Sequence, residues 1–357
     1  MRVALVATVL NEQERLTTWL SGIDSQVRRP DEIVIVDGGS TDGTWESLQS
    51  WAANRPVILR QLPGAGISAG RNLAISLTSA EAVAVTDAGT RADPDWLSQL
   101  VEALEAGYDV AGGFFYPTLR SQWDRALAAT TLPDSEEING EAFQPSSRSI
   151  AFRATWWNAG IRYPEWLDYC EDLVWDFSLR RAGARFKFVP HATVEFAVRP
   201  SAKSFALQYY RYARGDGKAG LFPKRHAARY ATYLGATMLL RRRRPIELAV
   251  AGVFGALYMR APARRLFARD RRNQVPIGST MTTLPLVAAL RAFGDFAKMA
   301  GYPVGLLWRV RRFGGLGWKT SWRRITPDGV VWSPAALTRE SLPPTSSRDV
   351  GPRAAAR

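Results

Sequence analysis

IVIVDGGSTDGT, residues 33–44, is the stretch that decides the fold of this chain. Four apolar residues, 33–36, predict a fully buried strand, and Asp37 follows them beside two glycines. Helix N-cap residues at 40–42 then predict a helix over 45–53. Open α/β sheets bind ligands at such a place, where a carboxylate follows a parallel strand. The alternative is an ordinary strand-to-helix turn with a capping aspartate.

Apolar strands and amphipathic helices alternate through the first half of the chain. Strands are predicted at residues 3–8, 33–36, 57–62, 82–86, 109–115 and 146–152, and helices at 15–23, 45–53, 69–77, 96–104 and 173–182. This alternation predicts a doubly wound, mostly parallel α/β sheet. Each early strand ends in polar or glycine residues, which such a sheet brings together at one edge.

The charge of the chain is divided between its two halves. Of its 357 residues, the last 157 carry 29 Lys and Arg against 7 Asp and Glu, whereas residues 1–200 are net acidic. The basic half predicts an anionic partner, either a membrane surface or a nucleic acid. Cys170 is the single cysteine of the sequence, so an intramolecular disulfide and a multi-cysteine zinc site are excluded. No signal peptide is expected from the first residues.

The glycines at 64, 66 and 70 raise the alternative of a dinucleotide-binding loop. Two features argue against a Rossmann dehydrogenase. The loop follows the third strand rather than the first, and its spacing is G-x-G-x-x-x-G rather than G-x-G-x-x-G.

Five short motifs, in order, resemble those of family 2 glycosyltransferases. They are VATVLNE at 6–12, IVDGGSTDGT at 35–44, GRN at 70–72, TDAG at 86–89 and CED at 170–172. The resemblance covers about residues 1–200 and implies a GT-A-type α/β catalytic domain. It also implies an inverting transfer of a sugar from a nucleoside diphosphate-sugar to an acceptor hydroxyl.

The resemblance implies a role for each matching position. Asp172 matches the general base that deprotonates the acceptor, with Glu171 beside it. Asp87 matches the first acid of a D-x-D element, which binds the nucleotide and a divalent cation, Mg²⁺ or Mn²⁺. The nucleotide-sugar-binding residues implied are Val9, Asn11, Glu12, Asp37, Gly38, Arg71, Asp87 and Ala88.

One position departs from the family pattern, because Gly89 stands where the second acid of the D-x-D element is usual. Three outcomes are open. Asp87 and the donor diphosphate suffice for the cation, another residue such as Asp93 or His191 assists, or the enzyme needs no metal. His191 is otherwise a structural residue flanking a strand.

Two further features are candidates for acceptor or diphosphate contacts. Gln208 and Arg211 have the spacing of the Q-x-x-R-W helix of processive family members, but Tyr212 replaces the tryptophan. The alternative is a plain interdomain helix. Trp166 is a candidate for stacking on an acceptor sugar, and its alternative is a half-buried core aromatic.

The basic half favours a membrane over a nucleic acid. Apolar runs at 227–240 and 246–259 flank four arginines at 241–244, and neither run reaches the roughly 20 residues of a spanning helix. Such a pattern is typical of helices in a membrane interface, and a soluble helical subdomain is the alternative. We therefore expect a catalytic domain at 1–200, a helical membrane-associating region at 201–325 and an irregular, disordered tail at 326–357.

The predicted enzyme lies on the cytoplasmic side of the cell membrane, or is otherwise cytoplasmic. Its predicted partners are a nucleoside diphosphate-sugar, a lipid-linked or cell-envelope glycan acceptor and an anionic membrane surface, with no nucleic acid. Two alternatives remain: an inactive, transferase-like membrane scaffold, and a sugar nucleotidyltransferase. The intact pair Glu171 and Asp172 argues against the scaffold, which has no need of it.

Overall fold

The structure is a computed structural model, and it describes residues 1–242 and 244–314. Its strands are β1 Val3–Val9, β2 Glu32–Asp37, β3 Val57–Gln61, β4 Ala82–Val85, β5 Thr90–Ala92, β6 Val110–Thr118, β7 Ile150–Arg153 and β8 Phe186–Ala197. Its helices are α1 Gln13–Asp24, α2 Thr44–Ala52, α3 Ile67–Ser76, α4 Trp96–Glu105, α5 Gln122–Thr131, α6 Ala154–Asn158, α7 Glu171–Arg181, α8 Ala202–Ala219, α9 Pro223–Arg242, α10 Pro245–Arg272 and α11 Ile277–Phe313. A 3-10 turn, Ser135–Glu137, follows α5. The predicted tail at 326–357 lies outside the described residues.

The strands form one mixed sheet in the order β3-β2-β1-β4-β7-β6-β8-β5. Strands β1 to β4 are parallel to one another, as helical crossovers require, and β6 is parallel to β8. Strand β7 runs antiparallel to β4 and β6, and β5 runs antiparallel to β8. The prediction of a mostly parallel α/β sheet with a helical C-terminal extension is confirmed.

Helices cover both faces of the sheet. Alternate residues of β1 point to opposite faces and belong to two separate cores. Leu5 belongs to the core that contains Trp19 of α1. Val6 belongs to the opposite core, with Ile75 of α3 and Trp175 of α7. The second core fixes α3 and α7, whose N-terminal ends carry two of the predicted motifs.

In the helical extension, α8 packs closely against α11, and α10 and α11 pack against α5 of the N-terminal region. Glycines allow a close approach of the two backbones: a Cβ on Gly301 or Gly305 would collide with the carbonyl oxygen of Tyr210 or Arg214. Phe205 of α8 is buried in a third core with side chains of α5 and α11. This packing places α8 opposite the C-terminal edge of the sheet.

Helices α9 and α10 present apolar side chains to the outside of the protein. The larger of these exposed side chains are Leu234, Met238, Leu240, Ile246, Leu248, Val250, Val253, Phe254 and Leu257. Among the described residues, α10 alone is long and apolar enough to cross a membrane, judged by length and composition. The expected 14-residue run at 246–259 is therefore the first half of a 28-residue helix, which continues through Pro262.

Candidate active site

Asp37 ends β2 and shapes the turn that follows it. Its carboxylate is fully buried and accepts hydrogen bonds from the backbone N–H groups of Gly39 and Ser40, both at 2.9 Å, and from the Ser40 hydroxyl at 2.5 Å. Gly39 has a φ of +94°, which favours glycine. Gly38 of this turn lines a cavity at the edge of the sheet, whereas Asp37 does not line it. The nucleotide contact of Asp37 stays a prediction.

The helix after this turn begins without a side-chain N-cap. The N-cap position is held by Gly43, with a φ of +94°, so the prediction that one of residues 40–42 is the N-cap is wrong. Asp42 acts within the first turn instead, because its carboxylate accepts hydrogen bonds from the Thr44 backbone N–H at 3.1 Å and hydroxyl at 2.6 Å.

A cavity of about 890 Å³ lies at the C-terminal ends of β1, β2 and β4, with α8 and the start of α7 opposite. It brings together nine of the predicted site residues: Val9, Glu12, Gly38, Arg71, Asp87, Ala88, Glu171, Asp172 and Gln208. Four others do not line it: Asn11, Asp37, Trp166 and Arg211.

A buried guanidinium group joins three of the sequence motifs. Arg71 of α3 donates to Asp87 Oδ1 at 2.9 Å and to Glu171 Oε1 at 2.8 Å. Its side chain is 3% exposed, so the ion pairs are shielded from solvent. The bridge fixes the acid that follows β4 relative to the N-terminal end of α7.

Two adjacent carboxyl groups open α7 at the cavity wall. Burial, and then the neighbouring Asp172, raise the pKa of Glu171 to about 7, against the opposing effect of Arg71. Burial also raises the pKa of Asp172 above its ordinary value. The helix N-terminus favours the ionised forms, but desolvation outweighs it here. Asp172 is half-buried and faces the cavity, whereas Glu171 is turned into its ion pair.

Positive charge lies close to Asp87, where the resemblance implies a divalent cation. Both carboxylate oxygens face guanidinium groups, Oδ1 that of Arg71 at 2.9 Å and Oδ2 that of Arg148 at 3.5 Å. A Cβ on Gly89 would lie 3.6 Å from a carboxylate oxygen of Glu12 and 3.8 Å from a terminal nitrogen of Arg15, so one acid and a third positive charge both lie near the position of the missing acid. Among the described residues, no group of three Asp, Glu, His or Cys side chains is arranged to hold a metal.

Asp93 and His191, the suggested auxiliary ligands, do not line the cavity. The Asp93 carboxylate accepts a hydrogen bond from the Tyr116 hydroxyl at 2.9 Å and another from Thr193. His191 is exposed on β8. Neither residue assists Asp87, and the metal requirement stays open to experiment.

Helix α8 forms the wall opposite the sheet edge. Gln208 lines the cavity and donates to the Tyr212 hydroxyl at 2.8 Å. Arg211 does not line the cavity, but it donates to the hydroxyl of Tyr169, which does, at 2.9 Å. The Cys170 thiol is buried and lies 3.3 Å from the Tyr212 carbonyl oxygen, as expected of a packing residue.

Trp166 stacks on Trp308 of α11, with ring centroids 6.0 Å apart and an interplanar angle of 2°. The pair connects the loop before α7 to the helical extension. The aromatic face that we expected to receive a sugar is therefore occupied by another tryptophan, and Trp166 does not line the cavity. Its acceptor contact stays a prediction.

Several cationic residues of the cavity were not predicted from the sequence: Arg15, Arg148, Arg199, Arg225, Arg229 and Lys298. Arg148 lies in the loop before β7, where the pattern of 146–152 predicts a strand. The rings of Phe115 and Phe196 lie against its guanidinium group, at 5.5 Å and 5.0 Å. The general excess of arginine is the sequence signal for such groups, but it does not single out these positions.

Asp176 of α7 gives a testable pH dependence. Its carboxyl is 1% exposed, and neither oxygen has a hydrogen-bond partner among the described residues, so burial raises its pKa well above 3.8. The folded protein then retains a proton that the unfolded chain releases, and between the unfolded and the folded pKa the free energy of unfolding falls as pH rises, by at most about 1.4 kcal/mol per unit. We expect Asp176→Asn to be the more stable protein at neutral pH. Thermal unfolding from about pH 5 to 8 measures this, and equal slopes in both proteins would contradict it.

Residues 5–163 match the family described as Glycosyl transferase family 2. This region of the chain is similar to that family, and the cavity lies at the edge of its sheet.

The curated relatives resemble a limited part of this chain. A dolichol-phosphate mannosyltransferase of Pyrococcus furiosus is 32% identical over 118 residues, which are 32% of this chain and 34% of the relative. An undecaprenyl-phosphate 4-deoxy-4-formamido-L-arabinose transferase of Serratia proteamaculans is 34% identical over 122 residues, 31% of this chain and 36% of the relative. The chain thus spans about a third of the length of these relatives.

Two solved structures are also similar to this chain. TarS residues 1–349 of S. aureus, in complex with UDP, has a TM-score of 0.48 and 16% identity, over 85% of this chain and 90% of that one. The mannosyltransferase PcManGT of Pyrobaculum calidifontis, in complex with GDP-Man and Mn²⁺, has a TM-score of 0.49 and 18% identity, over 86% of each chain.

Proposed function

We propose that this protein transfers a sugar, with inversion, from a nucleoside diphosphate-sugar to a hydroxyl of a lipid-linked acceptor. The observation that carries the proposal is the joining of Arg71, Asp87 and Glu171, with Asp172 beside them, in one cavity at the sheet edge. These residues come from three separate motifs, and a purely structural ion pair has no need of the half-buried Asp172.

The donor would lie at the edge of the sheet. Glu12, Gly38 and Ala88 line this end of the cavity, and the turn held by Asp37 shapes it. The departing diphosphate gains negative charge as the glycosidic bond breaks, and nearby guanidinium groups stabilise that charge. Arg71 and Arg148 lie beside Asp87, so they are the groups that we assign to this task.

Asp172 would act as the general base. Its carboxylate takes the proton of the acceptor hydroxyl while that oxygen attacks the anomeric carbon from the face opposite the diphosphate. One C–O bond forms, the bond to the diphosphate breaks, and the nucleoside diphosphate leaves with the electron pair. A pKa above the ordinary aspartate value brings Asp172 nearer to neutral pH, where a base is most effective.

The acceptor would be carried by a lipid. The relatives named above are a dolichol-phosphate and an undecaprenyl-phosphate transferase. In this chain, exposed apolar side chains on α9 and α10 adjoin many arginines, which is typical of association with an anionic membrane surface. We therefore place the protein on the cytoplasmic side of a membrane, where nucleotide sugars are available.

Binding of a panel of nucleoside diphosphates, each with and without Mn²⁺, tests the donor site. We expect one diphosphate to bind selectively without added Mn²⁺, because guanidinium groups surround Asp87. Calorimetry with the full chain measures the affinities, and the Arg148→Gln variant should weaken binding about tenfold or more. Binding that appears only with Mn²⁺ would show that the donor site needs the cation. The absence of all binding would favour the inactive, transferase-like scaffold.

A further inference from the structure

A second cavity, of about 500 Å³, lies among the helices α5, α8, α9, α10 and α11. Most of its lining comes from residues beyond the region matched by the glycosyltransferase family, which ends at residue 163. It shares part of its lining with the first cavity, including Tyr209, Arg225, Arg229 and Lys298. A ligand in the second cavity therefore lies next to the part of the first cavity that α8, α9 and α11 line.

The second cavity has more positive than negative side chains. Its lining holds four arginines and Lys298 but one carboxylate, that of Asp295. Asp295 is already engaged by Arg229 at 2.7 Å and by the Tyr258 hydroxyl at 2.7 Å. Arg265 is bound to Glu137 at 2.6 Å. Arg225, Arg291 and Lys298 remain as the unbalanced cations.

Arg291 pairs with no carboxylate among the described residues, and Lys298 shares the Asp295 carboxylate with Arg229. The Arg291 guanidinium lies 4.2 Å from the centre of the Tyr258 ring, and its Nε is buried with no hydrogen-bond partner among the described residues. Lys298 is 23% exposed and 4.0 Å from Asp295. Burial lowers the pKa of Lys298 to about 8, helped by the neighbouring arginines and opposed by Asp295. An anion bound here would reduce the repulsion among Lys298 and the neighbouring arginines.

The chemistry of the lining favours a phosphate group. Arginine binds phosphate through several directed N–H donors, and the low dielectric of a buried site strengthens such contacts. The Tyr233 and Tyr258 hydroxyls are further polar groups at this wall. A carboxylate ligand would satisfy fewer of these donors.

The surface beside the cavity indicates where the phosphate comes from. Tyr233 and Tyr258 line the cavity from α9 and α10, and Leu234 and Leu257, the next residues to them in the chain, are exposed. Exposed apolar side chains continue along both helices to Leu240 and Ile246. A hydrocarbon chain in a membrane could cover this face while its phosphate lies in the cavity.

We propose that the second cavity binds the phosphate group of a lipid-linked acceptor and so holds the acceptor's glycan end in the first cavity. This inference rests on the proposed function for its account of the glycan end, but the phosphate site can be tested without any sugar transfer.

The test measures binding of the full chain to phosphatidylcholine vesicles that contain either a polyisoprenyl phosphate or the matching polyisoprenyl alcohol. We expect the phosphate to increase binding, and Arg291→Gln or Lys298→Gln to weaken that increase about tenfold, the factor that about 1.4 kcal/mol represents. Arg311→Gln, which removes the same charge from an exposed position of α11, is the matched control and should have little effect. Thermal unfolding of each variant excludes loss of the fold.

Three results would overturn the proposal. The first is equal binding to both kinds of vesicle. The second is an equal loss in Arg311→Gln, which would show general attraction to a charged surface. The third is binding of free pyrophosphate that Arg291→Gln weakens but the lipid phosphate does not displace, which would make the second cavity a soluble phosphate site. Nucleoside diphosphate binding, measured separately, reports on the proposed function, so the two ideas can fail independently.

Discussion

Asp172→Asn is expected to reduce sugar transfer by about a hundredfold or more, which is the usual contribution of a general base. Asparagine keeps the shape of the side chain but cannot accept the proton of the acceptor hydroxyl. Asp172 makes no ion pair in the described structure and accepts one short-range hydrogen bond, from the Leu173 backbone N–H at 2.9 Å. Nucleoside diphosphate affinity should therefore stay within a few-fold.

Asp176→Asn is the control for an Asp-to-Asn substitution on this helix, since Asp176 lies one turn along α7 and outside the cavity lining. Initial rates and calorimetric affinities of both variants separate a catalytic effect from a structural one. Retained turnover in Asp172→Asn would remove Asp172 from its role. It would also indicate an acceptor oxygen that is already ionised at neutral pH, such as a phosphate.

Arg71→Ala should lower the free energy of unfolding by about 3–5 kcal/mol, the usual effect of breaking a buried ion pair. The variant leaves Glu171, whose side chain is 8% exposed, without its cation, and it removes one of the two guanidinium groups beside Asp87. The loss should be smaller at acidic pH, because Glu171, with a pKa raised to about 7, then becomes neutral.

Denaturant unfolding of Arg71→Ala and of Arg55→Ala measures this difference. Arg55 pairs with Asp24 at 3.2 Å, but both side chains are 40% or more exposed, so its removal should cost at most about 1 kcal/mol. Similar losses in the two variants would show that the Arg71 bridge does not stabilise the catalytic region.

The sequence predicted the convergence of the main site because the relevant residues follow parallel strands. Asp87 follows β4 and Gly38 follows β2, so the sheet itself brings them to one edge. The link between Arg71 and Glu171 is a matter of side-chain packing between α3 and α7. The family motifs placed both residues at the site, but no local pattern predicts that contact.

Other features depend on partners that are distant in the sequence. β5 has three residues, and β8 contains Pro190, so neither has a strong strand pattern. They are fixed by pairing with each other, and β8 also pairs with β6. The pattern at 146–152 predicts a longer strand than β7, and its early residues instead form the loop that carries Arg148 into the cavity.

The helical extension shows the same limit. The sequence pattern shows apolar runs and arginines, but the second cavity arises where five helices meet. Arg291 and Lys298 line it from α11, far along the sequence from the arginines of 241–244. The apolar run at 246–259 also covers only part of α10, because the helix continues through Pro262 to Arg272.

The most direct test of this account is a transfer assay with the full chain, radiolabelled nucleotide sugars and vesicles containing lipid-linked glycans. The account predicts that one donor passes its sugar to the lipid, that a nucleoside diphosphate is released in equal amount, and that Asp172→Asn abolishes both. Absence of labelled lipid with every donor would contradict it. Release of pyrophosphate from a nucleoside triphosphate and a sugar phosphate would show a nucleotidyltransferase instead.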